Sequence, residues 1–78
     1  MKTVKVLYFA SLRESLGKAE DSFCLDTEVS ASSIWQSLNP ELDLPEACLI
    51  AINQEYASAD SSVKAGDELA FFPPVTGG

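Results

Sequence analysis

Lys64-Ala65-Gly66-Asp67-Glu68-Leu69-Ala70-Phe71-Phe72-Pro73-Pro74 reads as a turn, a strand and a stop. Gly66 is free to take positive φ, which suits it to the turn. After Glu68 the strand is apolar on both parities through Phe72, Leu69 and Phe71 against Ala70 and Phe72. A strand apolar on both faces belongs inside a sheet. Pro73-Pro74 then ends the ladder, because proline has no N–H to donate and favours extended polyproline geometry. The partner for this strand stands at the other end of the chain. Val4-Lys5-Val6-Leu7-Tyr8-Phe9 is β-branched and aromatic, the composition of a strand. Its parity sends Val4, Val6 and Tyr8 to one face and Leu7 and Phe9 to the other. These two stretches are expected in the middle of one sheet, side by side and parallel.

The segments between them fill in the order. Ser11-Leu12-Arg13-Glu14 has the form of a capping box, with Leu12 and Leu16 one turn apart and Gly17 placed to end the helix in a left-handed conformation. This predicts a first helix of about one and a half turns. Glu20 to Asp26 reads as a second strand with Phe23 and Leu25 on one face. Ser30 can cap a helix over Ala31 to Leu38, where Ile34 and Leu38 are spaced i, i+4 and Trp35 flanks them. Ser32 and Ser33 lower the propensity of this helix, and Asn39-Pro40 stops it. A loop with Pro45 follows. Cys48-Leu49-Ile50-Ala51-Ile52 is a short apolar run, as in a strand buried on both faces. Asn53-Gln54-Glu55 turns the chain, and Tyr56 is expected on a short return strand. The fold class that results is α+β, a small mixed sheet with helical cover on one face. The expected core is Val4, Val6, Phe23, Ile34, Leu38, Ile50, Ile52, Leu69 and Phe71. Phe9 and Phe72 are expected to form an exposed apolar patch used by partners.

At 78 residues the chain has room for one small domain, read as a body over 1–72 and a tail over 73–78. Hydrophobic residues make up 46%, which supports a core and argues against disorder. No apolar run approaches the ~20 residues needed to span a bilayer, and the opening Met1-Lys2-Thr3-Val4-Lys5 lacks the pattern of a signal peptide. The expected location is cytoplasmic. Two cysteines, Cys24 and Cys48, with no histidine do not make a tetrahedral metal site. Each is expected to be a buried small hydrophobe, with a disulfide disfavoured in a reducing compartment. A net charge of −7 weighs against nucleic acid, which needs Lys and Arg for its phosphates. It fits solubility, and it fits partners with basic surfaces.

The tail Pro73-Pro74-Val75-Thr76-Gly77-Gly78 is where chemistry is expected. After the stiff prolines, the last four residues can reach ~13 Å when extended. Gly77 and Gly78 let a flexible chain thread a channel too narrow for any Cβ and leave the terminal carbonyl open to attack. A carboxylate is a poor electrophile. A mixed anhydride with AMP supplies a leaving group, and a sulfur nucleophile then gives a C-terminal thiocarboxylate at Gly78.

The segment Lys64 to Gly78 and the opening Val4-Lys5-Val6-Leu7-Tyr8-Phe9-Ala10-Ser11-Leu12-Arg13-Glu14 resemble the MoaD family of molybdopterin synthase small subunits. Ala47 to Gln54 resembles, more loosely, the family's central strand and Asn-Gln turn. The resemblance implies a ubiquitin-like β-grasp fold and a sulfur carrier for molybdenum cofactor biosynthesis. It implies that a MoeB-like adenylating enzyme uses ATP to make the acyl adenylate at Gly78, so that no cofactor is bound permanently. A persulfide donor then supplies sulfur. The thiocarboxylated tail enters a MoaE-like large subunit, which holds the catalytic pocket, and sulfur is delivered to precursor Z within a heterotetramer. The small subunit is not an enzyme by itself. It has no His and no paired acid and base in a recognisable motif. A ThiS-like carrier for thiazole synthesis shares the terminal chemistry, but such chains are usually shorter and lack Phe-Phe-Pro-Pro-Val-Thr before Gly-Gly. A ubiquitin-like protein modifier would form conjugates to lysine, and a β-grasp binding module would not need the Gly-Gly end. An iron–sulfur protein is excluded by the cysteine count.

Overall fold

The computed structural model describes residues 2–45 and 47–73. The elements are β1 (Thr3–Tyr8), α1 (Ala10–Leu16), β2 (Glu20–Cys24), β3 (Val29–Ser30), α2 (Ala31–Leu38), β4 (Leu49–Ile52), β5 (Glu55–Ala57), β6 (Ser62–Val63) and β7 (Glu68–Phe72). Five strands form one sheet in the order β2-β1-β7-β4-β5. β1 and β7 pair in parallel in the middle, Val6 opposite Leu69 and Tyr8 opposite Phe71, as the two most apolar ends of the chain require. The remaining contacts of this sheet are antiparallel.

One face of the sheet is covered. Val4, Val6, Tyr8, Leu69, Phe71 and Ile50 point to it, and Ile34 and Trp35 of α2 and Leu12 of α1 close over them, all buried. Three rings make its centre. Tyr8 stacks on Phe71 with centroids 6.0 Å apart, and Trp35 meets Phe71 edge-on at 4.9 Å. Such pairs are worth about 0.5–1.5 kcal/mol beyond their burial. Their polar ends are satisfied: the Trp35 Nε1 donates to the Leu42 carbonyl at 2.7 Å, and Asn39 Nδ2 donates to the Tyr8 hydroxyl at 3.1 Å. Burial pushes the Tyr8 phenol up, against the opposing pull of the Asn39 bond.

α2 starts and stops where expected. The Ser30 Oγ accepts from the Ser33 N–H at 3.2 Å. The freed N–H groups of Ala31 and Ser32 donate to the Ser61 and Ala59 carbonyls, so the loop before β6 completes the helix cap. Gly17 ends α1 at φ 71 and Gly66 turns at φ 91.

Several expectations are corrected. The capping box at Ser11 does not form. α1 begins two residues earlier, its N-cap is Phe9, and no side chain caps it. β1 spans Thr3–Tyr8 rather than running into Phe9, and β2 ends at Cys24 rather than Asp26. A second, two-stranded sheet of β3 and β6 was not foreseen; each is two residues long, too short for a periodic signal. In the expected core, Phe23, Leu38 and Ile52 are only partly buried, while Leu12, Leu25, Ala31, Trp35, Val63 and Tyr8 belong to it. Cys24 is exposed rather than buried and Cys48 is half-buried. The reason is parity: Cys24 lies opposite Thr3 on the outer strand, facing away from the side that takes Phe23.

Candidate functional site

The second face of the five-stranded sheet carries no helix. Leu7 of β1, Ala70 and Phe72 of β7, Ala51 of β4 and Tyr56 of β5 line a groove there, with Phe9 at one end and Gln54 and Glu68 at its polar rim. Its volume is about 450 Å³. Cross-strand register explains the assembly. Leu7 lies opposite Ala70, Ala70 opposite Ala51, and Ala51 opposite Tyr56, so one row of side chains crosses four strands. The two alanines make a low floor between larger walls. Phe9 and Phe72 close one end as a parallel stack, with centroids 4.7 Å apart and planes 5° from parallel. Phe9 is 39% exposed and Tyr56 is 81% exposed. Phe72 is half-buried.

The strand that leads into the tail is held on every side. Phe71 is clamped in the aromatic core, and its carbonyl accepts from the Phe9 N–H at 3.2 Å. Leu49 pairs with Phe72, and the Cys48 thiol donates to the Phe72 carbonyl at 3.2 Å. Burial pushes the Cys48 thiol up, against the pull of that bond, so this thiol stays protonated as a donor at neutral pH. At the far end of β7, Asp67 accepts from the Lys64 N–H and from Asn53 Nδ2, both at 3.0 Å. The Asn53 Oδ1 in turn accepts from the Glu68 N–H at 3.0 Å. The Lys64 bond, then that of Asn53, holds the Asp67 carboxyl below its ordinary range despite burial. β7 is thus a rigid strut with its end at the groove.

Of the residues singled out from sequence, Phe9 and Phe72 come together on the uncovered face. Pro73 follows directly and is half-buried. Pro74, Val75, Thr76, Gly77 and Gly78 lie outside the described residues. Tyr56, Ala51 and Ala70 were not singled out for the site. The signal that could have found them was the cross-strand row, which needs the register of three strand pairs. No helix among the described residues is long and apolar enough to cross a membrane.

The profile of the ThiS family matches residues 6–78. The molybdopterin synthase sulfur carrier subunit of Haemophilus influenzae is 41% identical over 96% of this chain and 99% of its own length. That of Escherichia coli is 37% identical, with the same coverage of both chains. Among solved structures, the small archaeal modifier protein SAMP1 of Haloferax volcanii superposes with a TM-score of 0.80 at 28% identity, over 97% of this chain and 99% of that one. The fold is a ubiquitin-like β-grasp, with the parallel β1 and β7 strands at its centre. The chain belongs to the ThiS family and, within it, to the molybdopterin synthase sulfur carrier subunits.

Proposed function

We propose that this subunit carries sulfur on Gly78, and that the uncovered sheet face docks the proteins that load and unload it. The observation that carries the reading is the family match, which runs through the Gly77-Gly78 pair and covers nearly the whole length of the related sulfur carrier subunits. The groove beside Phe72 supports it, because a partner seated there would hold the start of the tail.

The chemistry follows from the terminal carboxylate. A carboxylate oxygen of Gly78 attacks the α-phosphorus of ATP on a MoeB-like adenylating enzyme, and pyrophosphate leaves. A persulfide sulfur attacks the acyl carbon and AMP leaves. A thiol then cleaves the S–S bond and releases the thiocarboxylate. ATP is the activating enzyme's substrate, so the carrier itself needs no resident cofactor. The side-chain-free Gly77-Gly78 pair suits a narrow channel, with Pro73, Pro74, Val75 and Thr76 spanning the approach. In the large, MoaE-like subunit the thiocarboxylate sulfur bonds to a carbon of precursor Z in place of an oxygen, and water hydrolyses the resulting thioester, leaving the sulfur on the precursor and returning the carboxylate. The pocket for that step belongs to the large subunit, and the working assembly is a heterotetramer in the cytoplasm.

The likeness to SAMP1 favours one second reading, a modifier whose activated terminus is taken by a lysine amine. Intact-mass measurement separates the two. The chain incubated with activating enzyme, ATP and a persulfide donor should gain the mass of sulfur in place of oxygen. A chain that stays unchanged, or that appears only as conjugates to lysine, would contradict the carrier reading.

A further inference from the structure

Among the described residues, three that are not glycine have positive φ: Ala10 at 53°, Asn53 at 52° and Gln54 at 68°. Gln54 lines the groove, and Ala10 and Asn53 each adjoin in sequence a residue that does, Phe9 and Gln54. Asn53 and Gln54 make the two-residue turn between β4 and β5, where positive φ at both positions matches the twist of the hairpin. Ala10 has no such excuse. It follows Phe9, whose own backbone is extended at φ −122 and ψ 153, and it is the first residue of α1. Alanine is disfavoured there because its Cβ crowds the carbonyl.

The need for the turn lies in its neighbours. Tyr8 is in the core and Phe9 is on the opposite face. Leu12, three residues later, is buried under α1 on the Tyr8 side. The chain must leave the sheet after Phe9 and reverse at once to bring Leu12 back. A single left-handed residue does this. It also fixes the Phe9 peptide, whose N–H donates to the Phe71 carbonyl and whose carbonyl accepts from the Leu12 N–H at 3.1 Å. With its backbone tied at both ends, the Phe9 ring lies flat on Phe72. Strained backbone of this kind persists where its surroundings over-determine it, often beside functional surfaces.

We propose that Ala10 is a positioning residue: its left-handed backbone holds the Phe9 ring on Phe72, so that the end of the groove is formed before a partner arrives. The proposal rests on the reading of this face as the docking surface. Alanine opposes this φ, so the turn is held by the backbone bonds on either side of it rather than by the residue's own preference.

Two variants test it, and a chain this short is within reach of chemical synthesis. Ala10→Val places a β-branched residue there, which opposes positive φ more strongly than alanine does. D-alanine at position 10 prefers positive φ and keeps the methyl. Each is compared with the native chain and with Phe72→Ala for ring-to-ring NOE contacts of Phe9 and Phe72 in the free protein, and for affinity to the large molybdopterin synthase subunit. Ala10→Val is expected to stay folded, to lose ring contacts and to bind about two- to tenfold more weakly, since the ring must be ordered on binding. D-alanine is expected to keep native contacts and native affinity. Unchanged ring contacts in Ala10→Val would overturn the proposal whatever the partner does. Loosened rings with native affinity in Ala10→Val, while Phe72→Ala binds weakly, would overturn the claim that the positioning serves docking. Native affinity in Phe72→Ala as well would overturn the reading of the face, not the hold on the ring.

Discussion

Asp67 shows how one side chain joins two turns. One of its carboxylate oxygens accepts from the Lys64 backbone and the other from the Asn53 amide. Only an ionised carboxylate can serve two donors with two acceptor oxygens in this way. Its folded-state pKa is depressed, so its stabilisation is present above the ordinary carboxylate value, about 3.9, and is lost as pH falls through the depressed value. Replacing Asp67 by Asn turns one acceptor into an amide donor facing a donor. Asp67→Asn should destabilise the domain by about 1–3 kcal/mol at neutral pH, and the difference from the native chain should shrink on acidification. Urea denaturation of both proteins across acidic and neutral pH checks this; a pH-independent difference would contradict the assignment. At this scale the sequence was uneven. Parity alone separated Phe9 and Phe72 from the core, because a strand has only two faces. The same parity, applied to Phe23, would have placed Cys24 on the outer face. The bond from Asn39 to Tyr8 joins residues 31 apart in sequence, and no local pattern announces it.

Elements with their own local signals were legible. α2 is bounded as expected because Ser30 caps it and Asn39-Pro40 ends it. β7 is bounded by Gly66-Asp67 and by the prolines. Elements that depend on partners were not. β3 and β6 exist only through each other, and the start of α1 is set by the Phe9–Ala10 reversal rather than by Ser11. The turn before β7 offers a clean test of backbone cost. A Cβ on Gly66 would meet nothing within 4 Å, so at φ 91 only the conformation opposes it. Gly66→Ala should cost about 1–2 kcal/mol, a fall in Tm of about 4–8 °C per kcal/mol for a domain of this size. Thermal unfolding by circular dichroism measures it. No loss of Tm would mean that the turn accommodates another conformation.

For the whole molecule, the parallel pairing of β1 with β7 draws the two ends of the chain into the centre of the sheet. This joins the folded body directly to the root of the tail. The pairing was legible because the two strands are among the most apolar stretches of the chain. The groove was not, since it is a property of four strands in register. The chain carries a net charge of −7 and an apolar face, and the two should contribute separately to recognition. Added salt should slow association with basic partner surfaces. Phe72→Ala should weaken binding to both the activating enzyme and the large subunit by about 1–3 kcal/mol, the range of an interface anchor. Stopped-flow association at several salt concentrations, with native and Phe72→Ala chains, resolves the two. Rates insensitive to salt would remove the electrostatic component, and native affinity in Phe72→Ala would remove the anchor.

In the proposed function the chemistry belongs to Gly78 and the recognition to the folded body. Deleting Gly78 draws the carboxylate back by ~3.3–3.6 Å, where a misplacement of ~1 Å can already cost ~100-fold. The change leaves every core and groove residue in place in the sequence. The direct measurement is sulfur transfer to precursor Z by the variant lacking Gly78, with its folding and its binding to the large subunit measured on the same preparation. The variant is expected to fold natively, to keep binding through the uncovered face and to form no molybdopterin. Molybdopterin formation at the native rate would contradict it.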